Sequence, residues 1–370
     1  MSFHPGGFGP WRYIVMAALL TGGYQLHRHF TIGGLDGLSL QTRSADDRPA
    51  VGWVSLAGLG AGDAGSSKAG ADDPESSPDG GRSDSGSKPA AKRGTAVSAA
   101  ATGQRKAGQP RSQNLLIATW AVSGFGPQQL RDPEVMETFV AIVSRFDVLA
   151  LQQLRATERD FLRNLVARIN RDGGRYDYLV GPIDPLAANG GDGGQVAFLF
   201  DTTRVVTDRT QLYAVADPDR RLTHQPLVAW FRAAEVDPQR AWTFSLVNWQ
   251  VDLSRARQEI YELPRLIAAV TSDGRGEDDV IVAGLLQADQ AYLAATLGGD
   301  KHWFANADKA TDIHVKYQTS NLIIDRRMTT EAVLRGGVFD FLRAYNLSLK
   351  LAERISENLP VYAEFSPWEG

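Results

Sequence analysis

The stretch LLIATWAVSGFG, residues 115–126, decides the fold of this chain. Its first eight residues are mostly aliphatic, β-branched or aromatic, which is typical of a buried strand. Gly124 and Gly126 end the run with residues that favour a turn. We therefore predict a strand over 115–122 and read outward from it along the chain.

Further short runs with the same character continue to residue 365, each bounded by Gly, Pro or Asp. With the first run, these predicted strands cover 115–122, 147–154, 195–200, 227–231, 243–251, 279–286, 321–325 and 361–365. Apolar residues at helical spacing predict helices between some of them. These predicted helices cover 134–146, 158–171 and 254–270, and the third has Ser254 as N-cap and a kink or a split at Pro264.

The order of these elements predicts the fold class. Helices separate some strands, but strands 227–231 and 243–251 follow one another without a helix. That order indicates antiparallel pairing beside α/β crossovers. We predict an α/β fold: a two-layer β-sandwich flanked by helices.

Composition divides the chain into three zones. Residues 13–20 form an apolar run without a following Ala-x-Ala site, so 1–30 resemble a signal anchor or a signal peptide, and we expect export or a membrane tether. A short buried or disordered segment is the alternative. Residues 31–112 are predicted to be a mostly disordered, low-complexity linker, in which 31–56 could hold a small ordered patch. Residues 113–370 carry the predicted domain.

The overall charge and the absence of cysteine exclude some functions. The formal net charge of −4 gives no whole-chain basic footprint for nucleic acid. Without cysteine, the chain has no disulfide, no thiolate zinc site and no cysteine nucleophile.

Seven segments, in chain order, resemble the motifs of the endonuclease/exonuclease/phosphatase (DNase I-like) family. They are LLIATWAVSGFG (115–126), FDVLALQQL (146–154), QVAFLFDTTRV (195–205), FSLVNWQVD (244–252), VIVAGLLQAD (280–289), TSNLIID (319–325) and ISENLPVYAEF (355–365). The resemblance implies a four-layer α/β/β/α arrangement and, in active members, Mg²⁺-dependent cleavage of phosphoester bonds. It also implies that metal ligands, a general base and a water-orienting pair surround one cleft.

At almost every such position this sequence departs from the family's pattern. Ala121 and Gln153 stand where the resemblance places an Asn and a Glu that hold Mg²⁺, and Gln250 stands where it places a His. The full set of replaced positions is Ala121, Gln153, Gly194, Gln250, Leu285, Gln287, Ser320, Glu357 and Asn358. Positions that the family does not need for chemistry are kept: Trp120, Gln152, Asn248, Gly284, Asn321, Leu359 and Pro360. We therefore predict an inactive homologue with no resident metal and a binding or scaffolding role.

Two alternatives stay open. In the first, the chain is a metal-dependent phosphodiesterase or nuclease whose site is rebuilt from Asp252, Asp289 and Glu357. In the second, it binds phosphate or nucleic acid weakly through a basic rim, whose candidates are Arg326, Arg327, Arg335 and Arg343. The domain's histidines fit no motif position; they are His224, His302 and His314. The sequence names no partner.

Overall fold

The computed structural model describes residues 113–155, 160–182 and 194–370, together with the backbone of Gly52–Ser55. The predictions for residues 1–30 and for most of 31–112 fall outside these residues and stay predictions. Within the described residues, no helix has the length and apolar character needed to cross a bilayer.

The described strands and helices alternate irregularly along the chain. The strands are β1 Gly52–Ser55, β2 Leu115–Ala121, β3 Val148–Leu154, β4 Tyr176–Val180, β5 Gln195–Asp201, β6 Val205–Thr207, β7 Tyr213–Ala216, β8 Leu227–Ala233, β9 Thr243–Gln250, β10 Val280–Leu285, β11 His302–Phe304, β12 Ser320–Asp325, β13 Ala332–Val338 and β14 Val361–Phe365. The α-helices are α1 Pro127–Arg131, α2 Pro133–Val143, α3 Phe161–Ile169, α4 Ala256–Ile260, α5 Leu263–Thr271, α6 Gln290–Leu297, α7 Phe341–Ala344 and α8 Leu349–Ile355.

Among the described residues, the strands form two mixed sheets. The eight-stranded sheet has the order β1-β7-β8-β9-β10-β12-β11, with β6 paired to β8. The six-stranded sheet has the order β13-β14-β2-β3-β5-β4. Strands β2 and β3 are parallel neighbours in one sheet, and β9 and β10 are parallel neighbours in the other.

Three hydrophobic layers hold the sheets and helices together. The inner core lies between the sheets and includes stacked rings of Trp242, Phe244 and Phe365. An outer core joins the six-stranded sheet to α2, α3, α7 and α8. A second outer core joins the eight-stranded sheet to α4, α5 and α6. The predicted two-layer sandwich flanked by helices is confirmed.

Most predicted elements are present, with small shifts at their ends. Pro264 divides the predicted helix 254–270 into α4 and α5, since it lies in the first turn of α5, where its missing N–H is tolerated. The prediction that Ser254 is the N-cap is wrong. Asp252 caps the short 3₁₀ turn before α4 instead, by accepting a hydrogen bond from the Ser254 backbone N–H at 2.8 Å. Strands β1, β4, β6, β7, β11 and β13 were not predicted.

Candidate functional site

The replaced positions converge at one end of the sandwich. Ala121 ends β2 and Gln153 lies at the end of β3, while Gln250 and Leu285 end β9 and β10. Since each of these strand pairs is parallel, their carboxyl ends lie at the same edge. Strands β12 and β14 run antiparallel to these strands and therefore begin at this edge, so Ser320 and Asn358 also lie there. The fold thus brings these replaced positions together.

Neutral side chains bond to one another across this edge. Asn358 Nδ2 donates to Ser123 Oγ at 3.1 Å, and Ser123 Oγ donates to Gln153 Oε1 at 2.7 Å. The backbone N–H of Gln153 donates to Gln250 Oε1 at 3.2 Å. Gln250 Nε2 lies 3.4 Å from His224 Nε2. The side-chain oxygens of both glutamines therefore already accept hydrogen bonds within the protein.

Asn358 is held in place by the strand that carries Ala121. Its carbonyl oxygen accepts a hydrogen bond from Trp120 Nε1 at 2.7 Å, and its backbone N–H donates to Ser356 Oγ at 2.9 Å. Ser356 Oγ in turn donates to the Ala121 carbonyl at 2.8 Å. These hydrogen bonds, of which the Ser356–Ala121 bond is buried, hold the backbone of the loop before β14 against β2.

The backbone around Gln153 explains the glycine at position 194. Gln153 has φ +60°, and the register of β3 against β5 shifts between Leu151 and Leu154, as in a β-bulge. A Cβ atom at Gly194 would lie 2.1 Å from Gln153 Cα. No side-chain rotation can relieve a clash with backbone, so a glutamate at position 194 would require the bulge to move.

Four of the remaining replaced positions, Ala121, Leu285, Gln287 and Ser320, offer no charged ligand. Ala121 and Leu285 are buried, and Ser320 is fully buried, with no hydrogen-bond partner for its hydroxyl among the described residues. Gln287 has φ +52°, and its backbone N–H donates to the Thr319 carbonyl at 2.9 Å. These residues close the edge with apolar and neutral groups.

The carboxylates proposed to rebuild the site do not converge. Asp252 caps the turn before α4, and Asp289 caps α6 by accepting a hydrogen bond from the Tyr292 N–H at 2.8 Å. Glu357 is exposed. Across the described ranges, the groups of three acidic or histidine ligand atoms close enough for one ion include none of these residues.

The residues at this edge do not fit Mg²⁺. That ion dehydrates reluctantly and is usually bound through one or two carboxylates together with substrate phosphate and water. Here the polar side chains are Ser123, Gln153, Gln250 and Asn358, all neutral and already hydrogen bonded to one another or to the backbone. Among the described residues, no carboxylate forms a hydrogen bond with these four side chains.

His224 is one of two site residues, with Ser123, that sequence reasoning missed. It lies in the loop before β8, and it fits no motif of the family. Because Leu227 of β8 pairs with Asn248 of β9, the residues just before β8 run alongside Gln250. The hairpin register between these two strands is the signal that could have placed His224 here.

Two of the four arginines predicted to form a basic rim, Arg326 and Arg327, lie away from this edge. Arg326 and Arg327 follow the carboxyl end of β12, which lies at the opposite end of the sheet from Ser320 because β12 runs antiparallel to β10. Arg327 also pairs with Asp325, Arg335 with Glu364, and Arg343 with Asp340. These pairs fit a solvated mixed-charge surface better than a phosphate-binding rim.

Comparisons with known proteins connect this chain to deoxyribonucleases. Deoxyribonuclease gamma of Rattus norvegicus is 24% identical over 265 residues, covering 67% of this chain and 83% of that protein. Deoxyribonuclease-1 of Mus musculus is 25% identical over 269 residues, covering 67% of this chain and 90% of that protein. The human Nocturnin catalytic domain with bound sulfate anion aligns at 13% identity and a TM-score of 0.47, covering 70% of this chain and 95% of that one. No family model matches the chain.

Proposed function

We propose that residues 113–370 form a DNase I-like domain of the endonuclease/exonuclease/phosphatase type and that this domain is a catalytically degenerate homologue with a binding or scaffolding role. The observation that carries the proposal is the neutral network at the edge of the sandwich. Gln153 and Gln250 occupy positions where the family resemblance places a Glu that holds Mg²⁺ and a His, and both side-chain oxygens accept hydrogen bonds from the protein.

Loss of these groups removes separate contributions to hydrolysis. A general base alone typically contributes about 10²–10⁴-fold in rate, and no amide can ionise to replace one. Without a carboxylate at Gln153, a divalent ion lacks the charge that would hold it beside a phosphate. The two losses act on the same step, so neither compensates for the other.

A rearranged phosphodiesterase remains the alternative function. It requires Asp252, Asp289 or Glu357 to supply ligands, and two of these already cap helical turns. Among the described residues near the edge, His224 could act as a base, and its Nε2 lies 3.4 Å from Nε2 of the neutral Gln250. The degenerate homologue is therefore the better-supported function.

Hydrolysis by the purified full chain tests the proposal. We expect no turnover of plasmid DNA, RNA, bis-nitrophenyl phosphate or phosphoinositides with Mg²⁺ or Mn²⁺ above the background rate in buffer that contains the same metal and no protein. A commercial deoxyribonuclease serves as the positive control. Turnover that elutes with the protein peak and disappears in His224→Ala or Glu357→Gln would overturn the proposal, whereas a trace activity unchanged by both substitutions would mark a contaminant.

A further inference from the structure

A cluster of carboxylates lies at the end of the sandwich opposite the replaced positions. Asp279 immediately precedes β10 of the eight-stranded sheet. Glu331 immediately precedes β13 of the six-stranded sheet, and Glu369 lies in the segment after β14. One carboxylate oxygen from each of the three lies within 4.8 Å of the others. The acidic cluster Asp279–Glu331–Glu369 therefore joins the two sheets.

Two of the three carboxylates are buried, and in each of them only one of the two oxygens accepts a hydrogen bond from the described residues. Asp279 is 2% exposed and Glu331 is 5% exposed. Asp279 Oδ2 accepts a hydrogen bond from Trp242 Nε1 at 2.9 Å, and Glu331 Oε1 accepts one from the Gly370 N–H at 2.6 Å. The other oxygens, Asp279 Oδ1 and Glu331 Oε2, are buried and have no hydrogen-bond partner among the described residues.

No cationic side chain balances this charge. In the part of the chain that the structure describes, no Lys, Arg or His nitrogen lies within 4.0 Å of a carboxylate oxygen of the acidic cluster. Glu277 is also buried, and one of its carboxylate oxygens lies within 4.8 Å of oxygens of Asp278 and Asp279. Burying unpaired carboxylates is strongly unfavourable unless a proton or a cation neutralises them.

We propose that Asp279, Glu331 and Glu369 bind a Ca²⁺ ion that ties the start of β10 to the start of β13 and to the C-terminal segment. Ca²⁺ takes about six to eight oxygen ligands in a flexible arrangement, whereas Mg²⁺ usually keeps several waters and is held by one or two carboxylates. Three carboxylates whose oxygens lie within 4.8 Å of one another, two of them buried, therefore suit Ca²⁺ better than Mg²⁺. The proposal is independent of the hydrolytic edge.

Calorimetric and thermal titration of the full chain with Ca²⁺ tests this proposal. We expect one saturable Ca²⁺ site in the wild-type chain. We also expect a rise in the unfolding midpoint of about 5–10 °C when the free ion is about a hundred times its Kd. Mg²⁺ at the same concentration should give a smaller rise, since the site suits the larger ion.

Two substitutions locate the site without emptying the core. Asp279→Asn and Glu331→Gln keep the side-chain shape and an acceptor for the observed hydrogen bonds, but remove charge. Each should abolish the Ca²⁺-dependent rise while leaving the metal-free midpoint unchanged or higher. Glu357→Gln, an exposed carboxylate at the opposite end, is the matched control and should retain the full rise. A wild-type chain that shows no rise, or variants that keep it, would overturn the proposal.

Discussion

Replacing Arg204 with methionine is expected to lower the free energy of unfolding by about 3–5 kcal/mol. Arg204 donates to Asp147 Oδ1 at 3.2 Å and to the Asn114 carbonyl at 2.9 Å, and it also pairs with Glu235. The side chains of Arg204 and Asp147 are only 4% and 6% exposed. Methionine fills similar space but leaves the Asp147 charge in the interior without its cation.

A matched substitution at an exposed ion pair shows whether burial is responsible. Arg209 pairs with Asp177 at 2.6 Å, and both side chains are substantially exposed, at 57% and 42%. Arg209→Met should therefore cost only about 0–1 kcal/mol. Adding Asp147→Asn to Arg204→Met should recover part of the loss, because it removes the stranded charge.

Urea unfolding followed by tryptophan fluorescence measures all of these variants under one set of conditions. If Arg204→Met loses no more stability than Arg209→Met, burial of the Arg204–Asp147 pair does not determine the cost of losing the arginine. The same conclusion follows if Asp147→Asn makes the Arg204→Met variant less stable still.

Gly284→Ala is expected to destabilise the protein by about 3 kcal/mol, the upper end of the usual cost of overpacking, or to prevent folding. A Cβ atom at Gly284 would lie 1.9 Å from the Trp249 carbonyl oxygen and 2.9 Å from its carbon. Gly284 lies in β10, which is buried along its whole length between β9 and β12. The clash is between backbones, so the strands must separate to accommodate one methyl group.

Gly181→Ala is the matched control for this effect. At Gly181 a Cβ atom would meet only side-chain carbons of Leu227 and Val196 at 3.4 Å, which is ordinary packing contact. We expect stability within about 0.5 kcal/mol of wild type or slightly higher, since alanine reduces the entropy of the unfolded chain. Equal midpoints for the two variants in thermal unfolding would contradict the close approach of β9 and β10.

The sequence predicts the central strands well because their patterning is strong and local. Runs such as 115–122 and 361–365 are apolar, rich in strand-forming residues and bounded by turns, so their location needs no tertiary information. Strand β13 is different: its sequence AVLRGGV contains two glycines and an arginine and has weak strand preference. It forms because β14 offers a partner, with which it pairs through a shift in register.

The candidate site was predictable in its positions but not in its contacts. The motif order places Gln153, Gln250 and Asn358, and the structure brings these residues to one edge. The contribution of Ser123 and His224 depends on how the loops fold over that edge. Residue-type patterns carry no such information.

The acidic cluster was also hidden from the sequence. Asp279, Glu331 and Glu369 lie in three separate segments, and each alone resembles an ordinary surface carboxylate. Only the packing of the two sheets places the three side chains together and buries two of them. Contacts between distant segments of this kind depend on the tertiary fold.

We propose that the neutral, hydrogen-bonded side chains of Gln153, Gln250 and Asn358 fill the position where an active relative would hold its metal. An anomalous scattering map from crystals of the full chain grown with Mn²⁺ tests this most directly, because it locates the ion itself. We expect no Mn²⁺ peak within about 3 Å of the side-chain oxygens of Gln153, Gln250 or Asn358. A peak coordinated by these oxygens would contradict the proposal.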